Sequence, residues 1–157
     1  MTFSTAVYIE APPALVFDAL SNLEEAKEWM PNFVSIEMLT PGPVGAGTEW
    51  LQTRRTFGKQ STEHFRVTRW HPPSRLDIRG DGMRGTTGRG EYLFTYELMP
   101  ERNGTVVELV GEIRLGGFRD VIGRLFIGSF RKARHRDLEA LKTHMESRSL
   151  AGRGPRF

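Results

Sequence analysis

Arg54 and Glu63 lie on neighbouring predicted strands and are the residues of this sequence best suited to acid/base chemistry. A glutamate enclosed by apolar side chains has a raised pKa and can exchange a proton with a substrate. A guanidinium can orient a carbonyl or carboxylate group beside it. Glu63 and Arg54 are therefore candidate catalytic residues, whether as an internal ion pair or separately. The alternative interpretation, which we favour, places both near the edge of the sheet, where they pair in solvent.

Aromatic and polar side chains alternate along three predicted strands, so that one face of each strand could enclose an apolar ligand. Alternate residues of a strand point to the same side of its sheet. Small-molecule pockets combine apolar walls with a few polar groups that orient the ligand. The same pattern also suits an ordinary hydrophobic core. The candidate ligand-binding residues on these faces are Trp50, Gln52, Arg54, Glu63, Phe65, Tyr92, Phe94 and Tyr96.

Several other kinds of site are excluded or disfavoured. The chain has no cysteine, which excludes thiol catalysis and thiolate metal sites. The glycine-rich segment 42–48 lacks the lysine and the following Ser/Thr of a phosphate-binding loop. No two of the four histidines are spaced four residues apart on a helix, and they are His64, His71, His135 and His144. The sequence therefore predicts no metal site and no cofactor.

Length and composition are typical of one globular domain. The chain has 157 residues, of which 38% are apolar and 26% charged. No apolar run approaches the roughly 18 residues that a membrane helix needs. The first ten residues lack the basic and apolar segments of a signal peptide. We therefore expect a cytoplasmic protein without a membrane span, and the sequence indicates no particular oligomeric state.

Basic residues are concentrated near the C-terminus. Residues 119–148 carry eight basic and four acidic side chains. Such a segment could contact nucleic acid, anionic lipid or an acidic partner, although a solvated helix face is the simpler interpretation. No helix-turn-helix or finger motif presents Arg131, Lys132, Arg134 and Arg136. We therefore expect no sequence-specific binding of nucleic acid.

Periodicity and turn residues predict an α+β fold with one strand, two short helices, about six further strands and a long C-terminal helix. After Gly116 and Gly117 the apolar spacing becomes helical, and we expect residues 149–157 to form a disordered tail. A sheet of six to seven antiparallel strands needs a cover for its apolar face, and only the last helix is long enough. The predicted elements are strand 3–10, helices 14–20 and 21–29, strands 33–40, 48–57, 61–70, 75–79, 90–99 and 105–115, and helix 118–148.

Three apolar residues of the long helix are predicted to face the concave side of the sheet, namely Phe118, Ile122 and Phe126. Gly123 and Gly128 would leave space beside them. The three residues join the candidate ligand-binding set, and the space predicts an internal cavity on the order of 300–1,000 Å³.

The chain resembles the SRPBCC or START-like superfamily, particularly its polyketide cyclase/dehydrase and lipid-transport branch. The resemblance covers about residues 3–147 and implies a helix-grip fold, in which the curved sheet wraps around the C-terminal helix. Residues 1–148 would then form a single START-like ligand-binding domain. The resembling segments are 7–22, Trp29 with Met30 and Pro31, 42–50, 65–76, 123–126 and 137–142.

The resemblance implies binding of a small or medium apolar ligand of lipid, polyketide or aromatic type. Two alternatives remain: a cyclase or dehydratase that uses polar groups in the same cavity, and a protein-interaction module that uses the basic helix. The segment from Gly80 to Gly90 contains five glycines and forms either a mobile flap with Met83 at its tip or a long hairpin connection.

Overall fold

The computed structural model describes residues 1–56, 58–86, 88 and 90–151, and the elements follow the predicted order. A short 3₁₀ turn, Gly82–Arg84, follows the fifth strand. The helices and strands are β1 (Thr2–Ile9), α1 (Pro13–Ser21), α2 (Ala26–Trp29), β2 (Phe33–Met38), β3 (Glu49–Thr56), β4 (Lys59–His71), β5 (Arg75–Asp81), β6 (Glu91–Glu101), β7 (Gly104–Arg114) and α3 (Phe118–Ala151).

The strands form one antiparallel sheet of seven, in the order β1-β7-β6-β5-β4-β3-β2. Every pair except β1–β7 joins consecutive strands. The last strand therefore lies beside the first, and β1 and α3 are brought to the same part of the sheet. This arrangement confirms the predicted curved sheet with a long C-terminal helix and two short helices.

The concave face carries the core because alternate residues of the strands point toward the helices. On β1 the buried positions are every second residue from Phe3 to Ile9. On β7, Val107, Leu109 and Ile113 are almost completely buried. The short helix α1 adds Val16 and Phe17, and the ring of Phe17 meets that of Trp70 edge-on at 5.0 Å.

Two local features begin the short helices. Pro12 precedes α1 and Pro13 is its first residue, a position where a missing backbone N–H leaves no bond unmade. Asn22 Oδ1 accepts hydrogen bonds from the backbone amides of Glu24 and Glu25 at 3.1 and 3.3 Å. Asn22 thus stabilises the turn that leads into α2, which begins at Ala26 and not at residue 21 as predicted.

The C-terminal half of α3 packs against β1. Leu138, Leu141 and Met145 are buried between them. Thr5 Oγ1 and His135 Nδ1 are 2.7 Å apart, and Lys142 Nζ donates to the backbone oxygen of Tyr8 at 2.5 Å. These contacts fix how the helix lies over the sheet.

The predicted boundary between domain and tail does not coincide with the end of the helix. The helix continues through Ala151, so the first three residues of the predicted tail are helical. The rest of that tail, residues 152–157, lies outside the described residues. None of the described helices is long and apolar enough to cross a membrane.

Candidate functional site

Aromatic side chains cover the concave face of β3, β4 and β6. Trp50 and Phe65 are opposite each other on β3 and β4, with ring centroids 5.7 Å apart. Tyr92 and Phe94 lie along β6 with parallel rings 6.3 Å apart. Trp50, Phe65 and Phe94 are buried, whereas Tyr92 is only partly buried. The predicted faces therefore point inward, as alternation along the strands requires.

The main polar contact inside the fold joins Arg54 on β3 to Asp137 on α3. The guanidinium donates to both carboxylate oxygens, from Nη1 at 2.9 Å and from Nη2 at 2.7 Å. Its Nε and Nη2 also donate to the backbone oxygen of Pro31 at 3.1 and 2.8 Å. Burial alone would lower the pKa of Arg54, but the hydrogen bond and charge of Asp137 outweigh it and raise that pKa. Arg54 is therefore a charged, firmly held group in the interior.

Arg134 is the second cation of this cluster. Its Nη1 donates to Asp137 Oδ2 at 2.9 Å, and its guanidinium lies over the Phe94 ring, 4.7 Å from the centroid. A guanidinium stacks favourably on an aromatic face because the ring carries negative charge density there. Arg134 thus points from the helix toward the aromatic wall, although the sequence groups it with the surface cations.

Tyr96 lies close to the same cluster and keeps its proton over a wide pH range. Burial raises the pKa of the phenol to about 12; Arg134 and Arg54 oppose the rise and Asp137 adds to it. By accessible surface, the residue as a whole is nevertheless only partly buried. Burial, followed by the charge of Glu63, also raises the pKa of Tyr92. Both phenols are therefore neutral hydrogen-bonding groups at physiological pH.

Glu63 is not the partner of Arg54. In the register of β3 and β4, Glu63 is opposite Gln52, whereas Arg54 is opposite Ser61. Neither an internal nor a solvent-exposed Arg54–Glu63 pair is present, because the Arg54 guanidinium turns away from β4 and contacts the carboxylate of Asp137 on α3. Gln52 is buried, and its Oε1 accepts a long hydrogen bond from Trp50 Nε1 at 3.5 Å.

The start of α3 departs most from the sequence prediction. Phe118, Ile122 and Phe126 expose 76%, 42% and 55% of their surface and do not pack into the concave face. The helix turns a different side inward: a Cβ on Gly123 would lie 2.5 Å from Met1 Cε and 2.9 Å from Leu115 Cδ1, which directly precede β1 and follow β7. Gly123 therefore permits close packing here instead of leaving space, whereas a Cβ on Gly128 would have nothing within 4 Å.

Two open depressions lie mainly on the convex face of the sheet. One, of about 420 Å³, is bordered by Gly47, Arg66 and Arg79. The other, of about 330 Å³, is bordered by Arg79, Leu93 and Glu112 and also touches Tyr92 of the aromatic wall. Neither is the predicted internal cavity, which remains a prediction.

One group of side chains has metal-ligating chemistry that the sequence spacing did not reveal. Ligand atoms of Glu25, Glu28 and His144 lie within 4.8 Å of one another. Glu25 already contacts His144 Nε2 at 3.1 Å and also pairs with Arg148. The arginine supplies positive charge at the carboxylate, so these contacts are explained without a metal.

Sequence reasoning missed Asp137 and Arg134 as interior polar residues. A signal was present, because Asp137 directly precedes Leu138 of the apolar stripe and stands three residues after Arg134. Residues three apart on a helix are neighbours. An acidic residue beside the apolar stripe of a basic helix therefore indicates an inward-facing ion pair. The candidate flap at 80–90 is only partly described, since residues 87 and 89 lie outside the described part of the chain.

Comparison with known proteins agrees with this fold. The profile of the polyketide cyclase/dehydrase and lipid transport family matches residues 1–146. Two uncharacterized proteins from two strains of Mycobacterium tuberculosis are 29% identical over 105 residues, which is 67% of this chain and 69% of theirs.

Solved structures show the same architecture. A protein from Thermus thermophilus superimposes with a TM-score of 0.71 and 24% identity over 97% of this chain and 99% of its own. The di-domain ARO/CYC protein StfQ of the steffimycin biosynthetic pathway gives a TM-score of 0.77 at 12% identity, over 94% of this chain and 52% of its own. At these identities the likeness establishes the helix-grip fold.

Proposed function

The chain belongs to the polyketide cyclase/dehydrase and lipid transport family, and from this premise we propose that it binds a small or medium apolar ligand between the concave face of the sheet and α3. Lipids, polyketides and aromatic compounds are the ligand classes that fit. The proposal includes a cytoplasmic location.

The observation that carries this proposal is the partial exposure of Tyr96 and Tyr92 beside a buried aromatic wall. Tyr96 is deep enough for burial to raise its pKa to about 12, yet it keeps accessible surface. Accessible surface at a residue this deep in the fold supports an internal space next to it. Trp50, Phe65 and Phe94 would contact the apolar part of a ligand there.

The cluster around Asp137 supplies the polar end of the proposed site. Arg54 uses both terminal nitrogens on Asp137 and Pro31, whereas Arg134 shares only Nη1 with Asp137 among its hydrogen bonds to described residues. We therefore assign recognition of a ligand oxygen to Arg134 and the neutral phenol of Tyr96. This replaces the predicted role of Arg54, which holds the helix to the sheet.

A cyclase or dehydratase activity has less support. The predicted Arg54–Glu63 ion pair does not form, because Arg54 pairs with Asp137, so an acid/base role would depend on Glu63 alone. The groups around Asp137 suit orientation of a bound molecule, because a guanidinium and two phenols with raised pKa values are poor proton acceptors at neutral pH.

The first test is native mass spectrometry of the purified protein, in which we expect a co-purified molecule that dissociates on activation. The second is titration with an apolar fluorescent probe, for which we expect saturable binding of micromolar strength. Tyr92→Trp should weaken this binding by roughly tenfold, because added volume at the wall competes with the probe.

Leu93→Trp is the matched control. Leu93 is the next residue of the same strand and points to the convex face. It should leave the probe affinity unchanged. Equal weakening by both substitutions, or the lack of saturable binding by the folded wild type, would contradict the proposal.

A further inference from the structure

The first turns of α3 carry an exposed apolar surface that faces away from the sheet. Leu125 and Phe118 expose 82% and 76% of their surface, and Val121 and Ile122 expose 58% and 42%. Spacings of three, four and seven residues place these four on one side of a helix. Gly123, Ile127 and Phe130 are less exposed and lie on the other side. We call the four residues Phe118, Val121, Ile122 and Leu125 the apolar face.

Exposed basic side chains surround and continue the apolar face. Lys132 and Arg136 lie seven and eleven residues after Leu125 and so continue the same side of the helix. Arg119, Arg124 and Arg131 are also exposed and flank that side. Together these five residues form the basic rim.

No acidic residue offsets the basic rim along this stretch. Between residues 121 and 136 the sequence has neither Asp nor Glu. Asp120 accepts a hydrogen bond from the Leu115 amide at 2.9 Å, and Asp137 is turned inward to Arg54. The outward side of the helix therefore presents apolar groups followed by basic ones, and its first exposed acidic residue after them is Glu139.

A second exposed apolar residue lies at the same end of the sheet. Asp81 is opposite Glu91, and Glu91 is opposite Arg114, so β5 and β7 end at the same end of the sheet, with β6 between them. Met83 follows Asp81 and is 73% exposed, and α3 starts four residues after Arg114. Met83 and Phe118 thus belong to one end of the molecule.

We propose that this end of the protein docks on the surface of an anionic phospholipid membrane. Apolar side chains on an amphipathic helix enter the boundary between headgroups and acyl chains, and basic side chains around them are attracted to anionic headgroups. A purely apolar protein partner would explain the apolar face but not the basic rim. Docking adds to the proposed ligand binding and does not depend on it.

The test is co-sedimentation of the full chain with vesicles of phosphatidylcholine alone or of phosphatidylcholine mixed with phosphatidylserine. We expect binding to the mixed vesicles that weakens as salt is added, and little binding to phosphatidylcholine alone. Leu125→Glu and Arg124→Glu should each weaken binding by roughly tenfold, by removing an inserting group and reversing a charge at the surface.

Matched controls lie elsewhere on the molecule. Leu39→Glu makes the same substitution at an exposed leucine that follows β2, the edge strand on the other side of the sheet from β1. Lys27→Glu makes the corresponding charge reversal on α2, where the lysine is exposed. Both should bind mixed vesicles like the wild type. Equal loss in the controls, or equal binding to both kinds of vesicle, would overturn the proposal.

The absence of cysteine from the chain permits a direct measurement of insertion. An environment-sensitive dye on Leu125→Cys should shift to shorter emission wavelength on mixed vesicles, whereas the same dye on Leu39→Cys should not. An unchanged Leu125→Cys signal would overturn docking through this face. If the wild type instead forms a concentration-dependent dimer that Leu125→Glu dissociates, the apolar face is a contact between two copies, and this result would also overturn membrane docking.

Leu125→Glu should keep the affinity for the internal fluorescent probe. Failure of the docking proposal is therefore distinguishable from failure of the proposed ligand binding.

Discussion

Arg54 on β3 and Asp137 on α3 form a two-point ion pair between residues 83 positions apart in the sequence, with N–O distances of 2.9 and 2.7 Å. The pair spans the sheet, because α3 packs on β1 at one edge whereas β3 is next to the opposite edge strand. The helix is therefore held at β1 by apolar packing and at β3 by a charge-assisted contact. The aromatic wall lies between these two attachments of the helix to the sheet.

Asp137→Asn tests how much the Arg54–Asp137 pair contributes to the stability of the fold. The substitution leaves Arg54 and Arg134 without the negative charge that both contact. We expect a loss of roughly 2–4 kcal/mol in the free energy of unfolding, measured with urea. The expected loss is no larger than the usual cost of breaking a buried ion pair, because the side chains of Arg54, Arg134 and Asp137 all keep some exposure to solvent.

Glu139→Gln is the control for the loss of a carboxylate on the same helix. Glu139 is half exposed and contacts only His135 at 3.4 Å among the described ion pairs. Its substitution should cost less than about 0.5 kcal/mol. A similar small cost for Asp137→Asn would show that the pair does not hold the helix.

Phe126→Ala and Leu138→Ala should differ strongly although both shorten apolar residues of α3. Phe126 is 55% exposed, so its removal should cost at most about 1 kcal/mol. Leu138 is 2% exposed, and its removal should cost roughly 2–5 kcal/mol through lost burial and a new cavity. Thermal or urea unfolding of the two variants gives the comparison. A larger loss for Phe126→Ala would place that residue in the core, as the sequence pattern predicts.

The strands could be predicted because alternation and turn residues are local signals. The face with Tyr92, Phe94 and Tyr96 is inward as predicted. The turn between β6 and β7 is shifted by one position, since Glu101 pairs with Gly104 and Arg102 takes the positive φ. Asn103 and Gly104 predict a turn there, but the packing of Gly104 against β1 places it in the strand.

The partners of the polar residues could not be predicted in the same way. The positions of Arg54 and Glu63 on neighbouring strands suggest that they pair. The actual partner of Arg54 is Asp137, because α3 reaches across the sheet as far as β3. The side of α3 that faces the sheet also depends on tertiary packing: Phe118 and Ile122 form the most apolar stripe locally, yet Gly123 makes the close approach. Hydrophobic periodicity finds the helix but does not show which side is covered when two sides are apolar.

The basic rim should bind duplex DNA weakly and without sequence preference. The sequence groups Arg134 with these surface cations, but its guanidinium contacts Asp137 and Phe94 and does not belong to the basic rim. Binding measured by fluorescence anisotropy should fall steeply as salt rises, because phosphate contacts release counterions. One preferred sequence bound at physiological salt would contradict this prediction.

Tyr96 should make the protein less stable at alkaline pH. Burial raises the pKa of its phenol in the folded state to about 12, above the ordinary value of 10.0 expected after unfolding. The folded state therefore favours the neutral phenol, and the resulting stabilisation is fully present below about pH 10 and is lost as the pH rises toward 12. Urea unfolding across this range should show the decline in the wild type and a shallower decline in Tyr96→Phe.

Tyr8→Phe is the control for the alkaline decline, because Tyr8 lies on β1 with its hydroxyl donating to the backbone oxygen of Glu101 in an exposed contact. This variant should lose stability with rising pH as the wild type does. Ultraviolet titration of the phenolate in the folded protein should lose its highest-pH step in Tyr96→Phe and keep it in Tyr8→Phe. If Tyr96→Phe follows the same alkaline decline as the wild type, the phenol is not buried in the way the structure places it.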